Sequence, residues 1–433
     1  MQPSPPSPPS PPSLPARTPP RFPRLALFAP GMLIAATGVG AGDLLTASLA
    51  GSRHGLALLW AAWIGALLKW FLNEGIARWQ MATGTTLVEG WVAHLGRWAQ
   101  WAFLVYLLPW GFFTAGALAS ACGVAGTGLL PLAHDPDASK IAWGIAHSVV
   151  GGLLVWRGGF RLFERVMAVC VVLMVAGVVL TAPLLHPDWA ALLDGLFAPR
   201  IPAGGTVYAL GVLGGVGGTV TLLSYGYWIR ERGRSGARGA FDCRIDLAGA
   251  YALTALFGMA MIVIGSRVTL RQGPTAALEL ADQLAIPLGA PGRWIFLLGF
   301  WGAVFSSLLG VWQGIPYLFA DFVALSRSRA TPGPAAELSA SVPYRGFLVF
   351  LSTAPLVLLW APLERAQLLY AVFGAFFMPL LALTLLIMNT RTAWVGRDFR
   401  NGWVTNLVLL TTLAVFAYLG WGEAAQSLRK ILG

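Results

Sequence analysis

An apolar run from about residue 28 to residue 50 is interrupted at its middle by Gly38-Val39-Gly40-Ala41-Gly42-Asp43, and Asp43 is the only carboxylate of that run. Each glycine weakens a helix by about 1 kcal/mol relative to alanine, and an acid near mid-bilayer costs about 3 kcal/mol more. An uninterrupted membrane helix gains nothing from either feature. In lipid, unwound backbone is tolerated only where it is buried in protein or lines a watery cavity, so the break predicts a discontinuous helix beside a polar site. The alternative is a glycine-rich packing face on which Asp43 pairs with a distant cation.

The surrounding sequence makes the membrane setting firm. Hydrophobic side chains are 57% of the 433 residues and charged ones 11%, far too little polar surface for a soluble chain of this length. Apolar runs recur at about 28–50, 55–79, 99–130, 141–157, 163–186, 206–229, 246–267, 293–322, 346–361, 366–389 and 402–421. Each is near the length that crosses the hydrocarbon. These runs predict an all-α polytopic membrane protein of about eleven spans, a single transporter domain over residues 25–433. Residues 1–24 are proline-rich, have nothing apolar to bury and predict a disordered or polyproline tail; no cleavage site follows that would make them a secretory signal. The net charge of +11 collects in arginine clusters between runs, such as Arg157, Arg161 and Arg165, or Arg230, Arg232, Arg234, Arg238 and Arg244. That distribution is the positive-inside pattern and gives no support for nucleic acid as a partner. It predicts a plasma membrane protein (inner membrane in a Gram-negative source) surrounded by lipid, with a cytosolic N-terminus and an external C-terminus. Cys122, Cys170 and Cys243 have no CxxC spacing, and the five histidines never fall at i, i+4, so no thiolate or histidine metal centre and no cofactor is indicated.

The sixth run contains Gly214-Gly215-Val216-Gly217-Gly218-Thr219-Val220-Thr221, in which Gly215-Val216-Gly217 echoes Gly38-Val39-Gly40. The two breaks are five helices apart, so a second set of five would cross with opposite polarity, giving inverted repeats over about 28–186 and 206–389 and an appended eleventh helix. Glycine-interrupted helices at matching positions of inverted halves point to a transport site at the midplane.

Several segments resemble the natural-resistance-associated macrophage protein (Nramp) family of divalent metal transporters. The first helix and its exit loop are similar over Ala29-Pro30-Gly31-Met32-Leu33-Ile34-Ala35, Asp43, Thr46, Ala50-Gly51 and Gly55-Leu56-Ala57-Leu58-Leu59-Trp60. Gly217-Gly218-Thr219-Val220 resembles the family's sixth-helix break and Phe377-Met378-Pro379-Leu380 its tenth helix. The resemblance implies a LeuT-type fold with discontinuous helices 1 and 6 and a metal site between them. The sequence also departs from the family. The signature Asp-Pro-Gly-Asn falls on Gly40-Ala41-Gly42-Asp43, the sixth-helix Met-Pro-His falls on Thr221-Leu222-Leu223, and the tenth-helix glutamine falls on Ala371. Loss of thioether and imidazole leaves carboxylate, hydroxyl and carbonyl donors, which favour harder ions such as Mg²⁺, Ca²⁺ or Mn²⁺. The third helix carries no acid, which argues against proton coupling.

Other polar residues in the runs have two readings each. Glu74 precedes Arg78 by one turn, as an i, i+4 ion pair or as part of an inner gate. Ser306, Ser307 and Gln313 either offer hydroxyl and amide groups to the pathway or pack helices. Lys69 is placed to snorkel or pair. With no nucleophile and base pair and no phosphate loop, an enzyme is not indicated. The expected function is a divalent-cation carrier working by alternating access, with Asp43 as ligand and oxygens around Gly38, Gly40, Gly218 and Thr221 completing the cage. The rival is an amino-acid or organic-solute symporter of the same fold, in which the first break presents N–H groups to a carboxylate. Asp43 favours the cation.

Overall fold

The computed structural model describes residues 29–215, 218–268, 276–327, 335–361 and 363–432, and among them every regular element is helical. The proline-rich segment 1–24 lies outside the described residues. Helical segments cover all eleven predicted runs. The first run is split into α1 (Ala29–Gly38) and α2 (Ala41–His54), as its glycines require. It is followed by α3 (Leu59–Thr83), a short α4 (Leu87–Leu95) and α5 (Arg97–Leu129). The fourth and fifth runs form one element, α6 (Pro136–Met174), which bends at Gly159 and continues through a π turn at Val175–Val179. After α7 (Trp189–Phe197), the sixth run is split again, into α8 (Thr206–Gly215), a 3-10 turn (Val220–Leu223) and α9 (Ser224–Glu231). The remainder is α10 (Gly236–Gly265), α11 (Ala276–Arg327, bent at Gly289), α12 (Val342–Thr353), α13 (Leu363–Thr390) and α14 (Trp403–Leu432).

This order is that of a LeuT-type transporter: two inverted five-helix repeats, each opening with a broken helix, plus an eleventh helix. Six helical stretches among the described residues are long and apolar enough to cross a membrane by length and composition alone. The broken first run and the charge-bearing α3 are not among these six; the Lys69, Glu74 and Arg78 side chains of α3 are buried in the protein. Two helices organise that interior. Helix α11 packs against α1, α5, α6 and α12, and α10 packs against α1, α2 and α3, so the first half of the first broken helix is held between them, while α8 packs on α2 and α3. Large apolar side chains such as Val105, Val169, Val172, Leu407 and Leu410 are exposed on the outside. That inversion of the usual surface suits a lipid environment, where apolar exposure carries no hydration cost.

Candidate functional site

The two breaks meet. Gly218 has a φ of +81°, the left-handed region that glycine enters without a Cβ penalty. A Cβ there would lie 3.3 Å from the Cα of Gly38 and 2.5 Å from Thr221 Oγ1. On the other side of the first break, a Cβ on Gly40 would lie 3.1 Å from Ser307 Oγ. The Ser306 and Ser307 hydroxyls donate to the carbonyls of Ala36 and Thr37, both at 2.9 Å, tying α11 to the last turn of α1. Trp110 Nε1 on α5 donates to Thr219 Oγ1 at 3.2 Å, fixing the second break. Gly38, Gly40, Gly218, Thr221, Ser306 and Ser307 are therefore gathered in one place. Asp43 lies in the first turn of α2, where unpaired N–H groups and the helix dipole favour an anion. Its side chain lies outside the described residues, as does that of Ala371.

Among the described residues, the donors at the breaks are neutral oxygens. The buried Thr37 and Thr114 hydroxyls make no hydrogen bond among the described residues. No group of three or more His, Cys, Asp or Glu is placed to hold a metal ion among the described residues. His147, the one histidine predicted in a span, uses Nδ1 against the Trp143 carbonyl (2.7 Å) and accepts from Trp301 at Nε2 (2.8 Å), the pattern of a neutral structural ring.

Glu74 and Gln313 belong elsewhere, to a charged end of the bundle. Glu74 pairs with Arg78 at 3.0 Å, as its spacing predicted, and also with Arg244 at 2.9 Å. Gln313 Oε1 accepts from Trp228, and its carbonyl accepts from Tyr344 at 3.0 Å, beside a cavity of about 330 Å³ that Tyr317 and Glu231 also line. Two carboxylates that the sequence reading passed over hold this end together. Asp246 on α10 accepts from the Gly31 N–H of α1 (2.9 Å), Tyr225 of α9 (3.0 Å) and Arg234 (2.8 Å). Burial works to lower the Arg234 pKa, but the Tyr225 and Asp246 oxygens outweigh it and hold the guanidinium above its ordinary value. Asp321 on α11 accepts from Tyr227 (2.5 Å) and Thr86 (3.1 Å), while Glu89 takes a bidentate pair from Arg230 at 3.0 and 2.7 Å. Thr86 and Glu89 also form the capping box that starts α4, so one short helix positions both. The signal for Asp246 and Asp321 was in the sequence: each is a carboxylate at the edge of an apolar run, where a charge needs a partner. Lys69, placed to snorkel or pair, does not snorkel; it is fully buried and donates to the Gly214 and Gly215 carbonyls at the end of α8.

The model of the "Natural resistance-associated macrophage protein-like" family matches residues 31–422. The chain belongs to the Nramp family. A family relative, the divalent metal cation transporter MntH of Chromohalobacter salexigens, is 28% identical over 45% of this chain and 45% of its own length. The metal transporter Nramp6.2 of Populus trichocarpa is 26% identical over 60% of this chain and 47% of its own. The chain thus spans less than half the length of these two curated relatives. Among solved structures, the Eremococcus coleocola manganese transporter, in complex with an aromatic bis-isothiourea substituted compound, superposes with a TM-score of 0.73 at 16% identity, covering 95% of this chain and 88% of that one. A Na⁺-coupled sialic acid symporter superposes with a TM-score of 0.56 at 15% identity over 91% and 89%. At these identities the likeness establishes the Nramp family's fold and nothing about cargo.

Proposed function

We propose that this Nramp member carries a divalent metal ion across the plasma membrane by alternating access, with a hard ion such as Mn²⁺ or Mg²⁺ as cargo. The observation that carries the reading is the contact of the two breaks at Gly38 and Gly218, with hydroxyl and carbonyl oxygens around it and Asp43 in the adjoining turn. A single acid among neutral oxygens suits an oxygen-preferring dication that keeps part of its water. The arginine clusters orient the charged end and the N-terminus to the cytosol. Since α5 offers no acid, cargo moves without obligatory proton movement. The test is a proteoliposome panel of Mg²⁺, Mn²⁺, Ca²⁺, Fe²⁺ and Cd²⁺ with internal pH recorded. Asp43→Ala abolishes uptake while the protein still folds; unchanged uptake in that variant would sink the assignment.

One observation favours the second reading, a symporter of amino acids or other organic solutes. The buried Lys69 ammonium adds a positive charge beside the second break, which suits an anionic group better than a dication. Uptake of a carboxylate-bearing solute with no metal uptake in the same vesicles selects it.

A further inference from the structure

Lys69 stands near the middle of α3, in the membrane interior, and has no exposed surface. A charge in that position is costly and persists only where something uses it. Its Nζ donates to the Gly214 carbonyl at 2.6 Å and the Gly215 carbonyl at 3.2 Å, the last two residues of α8. Those carbonyls have no partner within their own helix, because α8 stops there, and they carry the negative end of its dipole. Gly65, one turn before Lys69, lets the two backbones approach: a Cβ on it would lie 2.8 Å from the Leu213 carbonyl oxygen. The close packing of α3 on α8 aims the ammonium at the helix end. Gly218, which lies against Gly38, follows Gly215 by three residues in the chain.

The C-terminal end of a half-helix in a broken-helix transporter is a cation position by its electrostatics. We infer that Lys69 is a resident cation: a tethered ammonium fills the cation position at the end of α8, so that no dissociable monovalent cation is needed there. The two described oxygens that accept from it are neutral carbonyls, which meet a positive charge through their dipoles. A lysine suits this role better than an arginine, because its compact ammonium is a point charge on a flexible stem. The inference holds whichever cargo the carrier takes.

The test uses the full-length protein in detergent and in proteoliposomes, with NaCl, methylammonium chloride or choline chloride as the only salt. Wild-type melting temperature and Mn²⁺ uptake are the same in all three. Lys69→Ala vacates the position: its melting temperature falls by several degrees in choline, its uptake falls by about tenfold, and Na⁺ or methylammonium restores both saturably. Lys69→Arg, which keeps the charge but not the compact head, falls between wild type and Lys69→Ala in choline, and Lys69→Gln, which keeps donors and fills the space without charge, is impaired and not restored by either salt. Wild-type behaviour of Lys69→Ala or Lys69→Gln in choline overturns the inference, and so does a loss in Lys69→Ala that neither small cation restores. If Lys69→Ala folds only when purified with methylammonium, that rescue supports it, and Lys69→Gln decides the role of charge independently. Absence of Mn²⁺ uptake by the wild type would remove the proposed cargo, whereas the salt dependence of melting would still read the cation position.

Discussion

The two helix breaks and the charged end of the bundle share α1 and α11 but are built by opposite means. At the breaks, α1, α8 and α11 approach through glycines, and the described polar atoms are hydroxyls and carbonyls, some of them without a partner among the described residues. At the charged end, α1, α9, α10 and α11 are tied by carboxylates that each accept from at least two donors: Asp246 from three, Asp321 from Tyr227 and Thr86, Glu74 from Arg78 and Arg244. A buried polar group without a partner costs about 1–3 kcal/mol, so unpaired hydroxyls are affordable only where something exchangeable satisfies them. A buried ion pair resists change for another reason, since removing one partner strands the other's charge, although the charged end also holds buried atoms without a described hydrogen-bond partner, Arg78 Nε and Asp321 Oδ1. The first region is held by close backbone approach and neutral contacts, and the second by ion pairs that must break together.

The largest expected effect tests the closed end. Asp246→Ala strips the Gly31 N–H and Tyr225 of their acceptor and leaves the mostly buried Arg234 without its carboxylate. Removing one partner of a buried pair costs about 3–5 kcal/mol. The N-terminal turn of α1 is then released, and Cys243, which is 1% exposed and within 3.6 Å of Arg234, becomes open to a maleimide. Unchanged labelling and an unchanged denaturation midpoint would mean that this end is not held by Asp246.

A smaller effect on stability, with a large effect on transport, is expected at the breaks. Gly218→Ala must hold a left-handed φ, which costs about 1–2 kcal/mol, and must push Thr221 Oγ1 aside from 2.5 Å. Uptake falls steeply while the melting temperature falls by a few degrees and Cys243 stays protected. If Cys243 opens instead, the two regions are coupled more tightly than their separate chemistries suggest.

Much of this division was legible in the sequence. Three glycines in five residues located the first break, their echo located the second, and the structure puts Gly38, Gly218 and Thr221 in contact. Glycine spacing is informative because it acts on the local backbone. Glu74 and Arg78 were legible for the same reason, as neighbours on one helix face. Asp246 with Gly31, Asp321 with Thr86 and Lys69 with Gly214 were not, because each pair joins residues far apart in the chain. A charge inside or at the edge of an apolar run announces that it needs a partner, but only the packing of helices says which one. The second partner of Glu74, Arg244, escaped for that reason too.

The smallest effect asks which region senses acid. His94 on α4 stacks on Trp394, with ring centroids 4.1 Å apart, and meets Trp79 edge-on at 5.6 Å. Burial first, and the nearby Arg391 second, hold its pKa below the ordinary 6.5. The unfolded chain therefore takes up the proton before the folded one does. Any contribution of the neutral ring is fully present above about pH 6.5 and is lost as the pH falls through the lower folded value. The described groups at the breaks are neutral hydroxyls and carbonyls, which do not titrate in this range, so this loss belongs to the loop beside the charged end. Melting curves of the wild type and His94→Gln should coincide in shape near pH 8 and diverge toward pH 5, the wild type losing more stability on acidification. The gap is small because the ring is largely exposed. Parallel curves for the two proteins would show that His94 keeps its ordinary titration and that the pH response arises elsewhere.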